Sequence, residues 1–288
     1  MLRIALPNKG RLSEQARELF RDAGLDVRTD SPRALIASLG GEFEALFVRA
    51  QDIPEFVADG AADVGVTGYD LVRESGRELV TVLDLGFGRC RLVLAAHDER
   101  GATSADSMPP GTRVATSFPR LTQEYFRARQ LAVTIVPVSG AAEIAPHIGI
   151  ADVVVDLSST GSTMKVNGLR ELDTLLESTA RLVARPGADA GDSPGARSLR
   201  DLAAALASVL RARGQRYVMA NVPREALERL RAVLPGLNGP TVTEVLDGGR
   251  FVAVHAVCPA DTLYRTIADL KGLGAEGILV TRIERLLP

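Results

Sequence analysis

A hydroxyl-rich turn after a short apolar run is the part of this sequence best suited to binding chemistry. Residues 151–163 read ADVVVDLSSTGST, and their β-branched centre predicts a buried strand that ends in polar residues. A concave ring of hydroxyls and backbone N–H groups around a glycine suits a phosphate, above all where a helix begins directly afterwards. The residues of this predicted phosphate turn are Ser158, Ser159, Thr160, Gly161, Ser162 and Thr163.

Two carboxylates precede the phosphate turn. Asp152 and Asp156 lie on the same predicted strand, where they could accept hydrogen bonds from sugar hydroxyls. A phosphate site beside carboxylates fits a phosphorylated ribose. The alternative is an ordinary strand-to-helix turn in which serine and threonine serve only as helix caps.

Composition narrows the class of protein. The chain has 288 residues and a formal net charge of −2, which favours about two domains and argues against nucleic acid as the main partner. No apolar stretch is long enough to span a membrane, and the N-terminus does not resemble a signal peptide. Cys90 and Cys258 have no metal-ligand spacing around them, which indicates a reducing, cytoplasmic location.

Strand and helix patterns alternate through the first two-thirds of the chain, which predicts an α/β architecture with mainly parallel sheets. Residues 60–68 (GAADVGVTG) also resemble residues 149–157 (GIADVVVDL). Two similar α/β lobes with a ligand cleft between them would explain this repeat. Chance similarity between two helix-to-strand junctions is the alternative.

The pattern changes from Gln215 onward. A β-α-β-β-α-β order is predicted there, which is the ferredoxin-like unit. Residues 185–198 precede it as a loop rich in Gly, Pro, Ala and Asp. A unit of this kind without obvious chemical groups is more typical of regulation or assembly than of catalysis.

An ordered set of motifs resembles the long form of the ATP phosphoribosyltransferase family, which opens histidine biosynthesis. No single motif is specific, but their order along the whole chain is. The matching segments are PNKGRLS (7–13), GAADVGVTGYD (60–70), LGFGRCRL (85–92), VATSFPRLT (114–122), residues 151–163 and PGLNGPT (235–241).

The resemblance implies a two-lobed core like a periplasmic binding protein, followed by a regulatory βαββαβ domain. Lobe I would comprise residues 1–90 with 173–213, lobe II residues 91–172, and the regulatory domain residues 214–288. The implied reaction joins N1 of the adenine of ATP to C1 of phosphoribosyl pyrophosphate and expels pyrophosphate. Mg²⁺, held mainly by the pyrophosphate and with Asp152 or Asp156 as additional ligands, is the implied cofactor.

The resemblance also assigns roles to residues at matching positions. The phosphate turn would hold the 5′-phosphate, and Asp152 and Asp156 would face the ribose or its magnesium. Three cations would neutralise phosphates of ATP or the departing pyrophosphate: Lys9, Arg11 and Arg49. The nucleotide side of the cleft would be lined by Thr67, Gly68 and Asp70. Ala50 and Gln51 depart from the family's usual Pro-Lys, so one lysine charge is missing.

Regulation is implied as well: histidine would bind between C-terminal domains of a homohexamer built from dimers. The positions that match this site are Asn221, Leu237, Thr241, Val257 and Gly277. Asn221 replaces an aspartate of some relatives, and a neutral amide pairs less strongly with the ammonium group of histidine. The sequence therefore predicts inhibition that persists but is weak.

Three other interpretations stay open. A two-lobed solute sensor would bind a ligand without turnover, although paired phosphate sites favour an enzyme. A different phosphoribosyltransferase would usually carry adjacent acidic residues before the turn, whereas three valines separate Asp152 from Asp156. A purely structural oligomer would leave the cationic strand ends unexplained.

Overall fold

The computed structural model describes residues 1–28, 34–97, 104–246 and 248–287. They form two compact units, Met1–Ala203 and Ala204–Pro288. Residues 247–250 (DGGR) predict a hairpin turn between two strands, and Asp247 of this turn lies outside the described residues.

The first unit alternates strands and helices. Its strands are β1 (Leu2–Pro7), β2 (Val27–Arg28), β3 (Ile36–Leu39), β4 (Phe43–Val48), β5 (Val64–Gly68), β6 (Val80–Asp84), β7 (Cys90–His97), β8 (Thr112–Thr116), β9 (Val133–Pro137), β10 (Val153–Ser158), β11 (Leu169–Ser178) and β12 (Ala180–Ala184). Its helices are α1 (Gly10–Asp22), α2 (Ile53–Ala58), α3 (Tyr69–Ser75), α4 (Pro119–Ala128) and α5 (Ser162–Val166). Helix α6 (Pro194–Arg213) continues from the first unit into the second.

Two sheets organise the first unit. The first sheet has the order β2-β3-β4-β1-β5-β12-β6, and the second has the order β11-β7-β10-β8-β9. Strand β1 is central, and its residues Ile4, Ala5 and Leu6 are all buried because helices cover the sheet. A parallel run β4-β1-β5 and a parallel run β10-β8-β9 form the two sheet cores.

The sheets are mixed, which corrects the expectation of mainly parallel sheets. Strand β12 lies antiparallel between β5 and β6, and β7 lies antiparallel between β10 and β11. The reason is that the chain passes between the sheets twice, and each passage delivers a strand that runs against its neighbours. The passages occupy residues 85–89 and the Ser178–Ala180 segment, so the predicted boundary at residues 172/173 falls inside β11.

The spacing of apolar residues predicts a helix that begins at Ser13, but α1 begins three residues earlier, at Gly10. Gly10 has φ +78°, a conformation that L side chains rarely adopt, and it lets the chain turn from β1 directly into the helix. Ala16, Leu19 and Phe20 form the buried face of α1 as the spacing predicted. The early start places Arg11 in the first turn of the helix.

The second unit contains β13 (Gln215–Pro223), α7 (Leu227–Val233), β14 (Thr241–Glu244), β15 (Phe251–Pro259), α8 (Leu263–Gly272) and β16 (Glu276–Arg282). The four strands form an antiparallel sheet with the order β14-β15-β13-β16. Val218, Val254, Leu230 and Leu270 are buried in one core between this sheet and its two helices. This confirms the predicted ferredoxin-like unit.

Candidate functional site

Two cationic residues follow the ends of neighbouring parallel strands in the first sheet. The Asn8 N–H donates to the Val48 carbonyl at 2.8 Å, so the segments after β1 and β4 leave the sheet side by side. Lys9 and Arg49 lie on these two segments, and both are exposed. The carboxyl ends of parallel strands are where α/β proteins bind ligands, so this edge is a suitable site for anions.

Arg11 connects this edge to the second sheet. Its Nη2 lies 3.5 Å from Oγ of Ser159 in the phosphate turn, at the limit of hydrogen-bond distance. The two residues are far apart in the sequence, and the fold brings the cationic N-terminal segment against the hydroxyl-rich turn. A ligand that carries phosphates at two places would meet both.

The phosphate turn has the local geometry that its sequence predicted. It follows β10, and Gly161 at φ +76° directly precedes α5. The hydroxyls of Thr160 and Ser162 lie 2.8 Å apart, and both residues are exposed. Ser159 and Thr163 are exposed as well. N–H groups in the first turn of a helix have no intrahelical acceptor, so this turn offers donors to an anion.

Asp156 lies on the same face of β10 as Ser158, two residues before the turn, and is half-buried. Burial raises the pKa of its carboxyl, and the negative charge of Glu143 acts in the same direction. The Leu157 N–H donates to Asp156 Oδ1 at 2.7 Å and opposes this shift. A carboxylate in this position can accept sugar hydroxyls or share a cation.

Asp152 does not lie beside the phosphate turn, which corrects the prediction for this residue. It precedes β10, and five strand residues lie between it and Ser158, so the two residues are about 20 Å apart along the chain. Its carboxylate accepts the Arg113 backbone N–H at 2.9 Å and the Arg113 guanidinium at 3.0 and 3.2 Å. Asp152 therefore anchors the start of β10 to β8.

Thr67 and Asp70 are buried, so they support the wall of the site rather than forming its surface. The Thr67 hydroxyl donates to the Ala50 carbonyl at 2.7 Å and holds the segment that carries Arg49. Asp70 accepts the Ser178 hydroxyl, and a Cβ on Gly68 would lie 2.3 Å from Asp70 Oδ1. Gly68 is thus required by the close approach of this carboxylate.

A cavity of about 330 Å³ lies where the chain passes between the two sheets, and none of its lining residues except Ser159 was predicted as a site residue. Arg181 Nη1 lies 2.6 Å from Asp84 Oδ2, and the Arg181 guanidinium carbon lies 5.2 Å from the centre of the Tyr69 ring. Arg181 Nε is buried without a hydrogen-bond partner among the described residues. The motif at residues 85–92, which contains three of the lining residues, was the feature of the sequence that could have indicated this cavity. The lining residues are Asp84, Arg89, Cys90, Arg91, Ser159, Glu177, Ser178, Thr179 and Arg181.

A second cavity, of about 510 Å³, lies against the phosphate turn on the side of α5 and β11. Three cations and one carboxylate line it: Arg91, Lys165, Arg170 and Glu171. The turn itself contributes Thr160 and Gly161. A positive balance of this kind suits an anionic ligand.

The positions that match the histidine site lie in the second unit. Asn221 and Gly277 are neighbours, since a Cβ on Gly277 would lie 3.6 Å from Asn221 Nδ2. Thr241 and Val257 share the sheet face of Asn221, opposite the helices, but at other points of the register. Leu237 is 59% exposed. Within one chain these residues form a surface rather than a single pocket.

In residues 1–28, 34–97, 104–246 and 248–287, no group of three or more His, Cys, Asp or Glu side chains is arranged to hold a metal ion. Within the same ranges, no helix is both long enough and apolar enough to cross a membrane.

Two α/β sheets joined by two chain passages, with a cationic segment at the end of the first sheet and a hydroxyl-rich turn at the end of the second, define a two-lobed core of the periplasmic-binding-protein type, and a ferredoxin-like unit follows it. A sequence model of ATP phosphoribosyltransferase matches residues 49–208, and a model of the HisG C-terminal domain matches residues 212–285. The chain therefore belongs to the ATP phosphoribosyltransferase family, in its long form.

Similar proteins agree with this assignment. The ATP phosphoribosyltransferase of Gemmatimonas aurantiaca is 67% identical over 292 residues, and that of Natronomonas pharaonis is 48% identical over 288 residues; each alignment covers 100% of both chains. A solved chain of the ATP phosphoribosyl transferase (HisG:HisZ) complex from Thermotoga maritima is 29% identical, with a TM-score of 0.65 over 73% of this chain and 99% of that one. The predicted resemblance, fold class and pentosyltransferase activity in the first step of histidine biosynthesis are confirmed.

Proposed function

We propose that phosphoribosyl transfer takes place between the phosphate turn and the cationic edge of the first sheet. The observation that carries this proposal is the distance of 3.5 Å between Arg11 Nη2 and Ser159 Oγ. It puts a cation that can bind a nucleotide or pyrophosphate phosphate next to hydroxyls that can bind the 5′-phosphate of the ribose.

In this proposal the exposed part of the turn binds the 5′-phosphate of phosphoribosyl pyrophosphate. Supporting geometry comes from Gly161, which directly precedes α5 with φ +76°, and from the backbone N–H groups in the first turn of this helix. Ser159, Thr160, Ser162 and Thr163 add hydroxyl donors. Asp156 is the carboxylate placed to accept the ribose hydroxyls, whereas Asp152 is too far away and already bound to Arg113.

The chemistry requires charge stabilisation more than proton transfer. Adenine N1 carries a lone pair that forms the new bond to C1 of the ribose, while the bond from C1 to the pyrophosphate oxygen breaks with its electron pair. Lys9, Arg11 and Arg49 stabilise the negative charge that leaves with pyrophosphate, and they align the two substrates. No general base is needed, which agrees with the buried, structural position of Asp70.

We propose that a divalent metal, Mg²⁺, is held by few protein oxygens and mainly by the substrate. The described residues offer Asp156 as a carboxylate near the turn, with Glu143 close enough to affect its charge. With so few protein oxygens, the substrate pyrophosphate and water would supply the other ligands, as is usual for magnesium. Bound there, the metal would neutralise charge on the leaving group.

We also propose feedback inhibition by histidine, bound to the second unit at Asn221, Leu237, Thr241, Val257 and Gly277. Four of these residues lie on the sheet face opposite the helices, and Leu237 lies in the exposed segment before β14. This spread supports a site shared between C-terminal domains of a homohexamer assembled from dimers. Inhibition from such a site requires two states of the enzyme with different affinity for histidine. A cytoplasmic location completes the proposal.

Pyrophosphate release measured with ATP, phosphoribosyl pyrophosphate and Mg²⁺, with each omitted in turn, tests the proposal. We expect release only when all three are present, together with phosphoribosyl-ATP as the second product. Turnover that is unchanged in an Arg11→Ala variant would contradict the proposed role of the cationic edge. Arg3→Ala, on the same sheet but paired with Glu44, is the matched control.

A further inference from the structure

Glu171 on β11 connects three strands beneath the phosphate turn. Its Oε1 accepts the hydroxyl of Ser158 at 2.7 Å, and its Oε2 accepts Nη2 of Arg91 at 2.8 Å. Arg91 Nη1 also donates to Thr174 Oγ1 at 3.3 Å. The carboxylate therefore links β11 to the end of β10 and to β7 at the point where the turn begins.

The Glu171 carboxylate lies close to the phosphate turn. A Cβ on Gly161 would lie 3.4 Å from Glu171 Oε1, which is van der Waals contact, so the turn passes directly over this oxygen. Ser158 is only 5% exposed, and its hydroxyl hydrogen is directed at Glu171. Ser158 is thus the anchor of the turn, and the ligand-binding hydroxyls are those that follow it.

A negative charge beneath a phosphate site would oppose binding unless it is compensated. Arg91 supplies that compensation directly, and Lys165 and Arg170 line the same cavity. The side chains of Arg91 and Glu171 are 38% and 25% exposed, so solvent screens this pair only in part. The arrangement keeps a strong acceptor for Ser158 without leaving a net negative charge at the turn.

We propose that Glu171 is a positioning residue for the phosphate turn, acting through Ser158 and kept charge-neutral by Arg91. This inference rests on the proposed function, in which the turn binds the 5′-phosphate of phosphoribosyl pyrophosphate. In this inference Glu171 contributes to binding of the phosphorylated ribose and has no role toward ATP. The reason is that the contacts of Glu171 given above lie on the side of the second sheet.

Calorimetric binding of phosphoribosyl pyrophosphate and, separately, of ATP tests this role. We expect Glu171→Ala to weaken phosphoribosyl pyrophosphate binding about tenfold or more and to leave ATP binding within about twofold. Glu171→Gln keeps an oxygen that accepts the Ser158 hydroxyl but turns an amide N–H₂ toward Arg91, so we expect an intermediate loss. Glu44→Gln removes the carboxylate from an arginine pair on the first sheet and serves as the matched control.

Ser158→Ala removes the same hydrogen bond from its other end and provides a second route if Glu171→Ala does not fold. If Glu171 acts through Ser158, the double variant should bind the sugar phosphate no more weakly than the worse single variant. Equal losses for both ligands, additive losses in the double variant, or unchanged binding in Ser158→Ala would overturn the proposal. Binding without turnover in the wild type would instead count against the proposed function alone.

Discussion

The hydroxyl of Ser178 donates to Asp70 Oδ1 at 2.5 Å and accepts the Asp70 backbone N–H at 3.0 Å. Asp70 lies in the first turn of α3, against the first sheet, whereas Ser178 is the last residue of β11 in the second sheet. Both residues are buried. This reciprocal pair fastens the two sheets together at one of the two passages between them.

Replacement of Ser178 by alanine removes a single oxygen atom, yet it should lower the free energy of unfolding substantially. It leaves the Asp70 carboxylate buried without its side-chain donor, which costs about 1–3 kcal/mol in the free energy of unfolding. Urea unfolding of Ser178→Ala against wild type measures this loss. Ser208→Ala is the control, because Ser208 is equally buried but donates only to a carbonyl of its own helix; equal losses in both variants would contradict the argument.

Asp70 should also make stability depend on pH. Burial raises the pKa of its carboxyl, although the Ser178 hydroxyl and backbone N–H groups lower it in part. The folded protein therefore holds this proton more tightly than the unfolded chain does. The contribution of Asp70 to the free energy of unfolding then falls as pH rises from the ordinary aspartate pKa, about 4, through the raised value.

Unfolding of wild type and Asp70→Asn, measured in urea from pH 4 to pH 8, isolates this contribution. Relative to Asp70→Asn, the wild type should lose stability as pH rises and regain it as pH falls. A difference between the two proteins that stays constant, or that changes in the opposite direction, would show that the carboxyl has no raised pKa in the folded state.

The elements and the binding turn were predictable from the sequence because they depend on local patterns. Periodicity identified α1 and β10. The residue types of residues 158–163 predict a phosphate ligand, which stays a prediction. The functions of Asp152 and Thr67 were not predictable in this way. Their partners, Arg113 and Ala50, are set by register between strands and by loop contacts, which a single sequence does not contain.

Glu171 and Ser178 are residues whose roles could not be predicted from the sequence at all. Each lies on β11, a strand whose bulges near Asp173 and Thr174 interrupt the simple alternation of faces. Neither residue forms part of a motif that indicates chemistry. Their importance follows only from the side chains that the fold brings to them across the two sheets.

Cys90 should be a slow nucleophile whose reactivity reports on Asp70. Burial and the negative charge of Asp70 raise the pKa of its thiol to about 11, despite opposing contributions from Ser178 and Arg11. Since the thiolate is the reactive form, alkylation by iodoacetamide should keep accelerating as pH rises from 8 to 10. Peptide mapping by mass spectrometry separates Cys90 from Cys258. Asp70→Asn should accelerate alkylation of Cys90 at pH 8, and a slower reaction in that variant would refute the coupling.

The exposed hydroxyls of the phosphate turn should contribute most of the neutral donors to the sugar phosphate. Replacing Thr160 and Thr163 together with valine should weaken phosphoribosyl pyrophosphate binding by about 2 kcal/mol or more, near 30-fold, if each hydroxyl donates to a charged oxygen. Calorimetry provides the affinity. Thr134→Val, at an exposed position on β9 of the same sheet, is the control. Unchanged affinity in the double variant would place the phosphate elsewhere.

Asn221 offers a gain-of-function test of the proposed regulation. Its amide is exposed on the open face of the second unit, next to Gly277, where an aspartate would present a full negative charge to an ammonium group. A hydrogen bond to a charged group is about twice as strong as a neutral one, so Asn221→Asp should lower the histidine concentration for half-inhibition by about tenfold. Initial rates across a histidine titration measure the shift, with Ala268→Asp, which adds the same charge at an exposed position of α8 on the helix side of the sheet, as the control. Because an added charge on the sheet face could also disturb assembly, the oligomeric state of each variant is measured by sedimentation at the assay concentration. Wild-type rates that stay unaffected at high histidine, with no sensitivity gained in Asn221→Asp, would show that this face does not bind the effector.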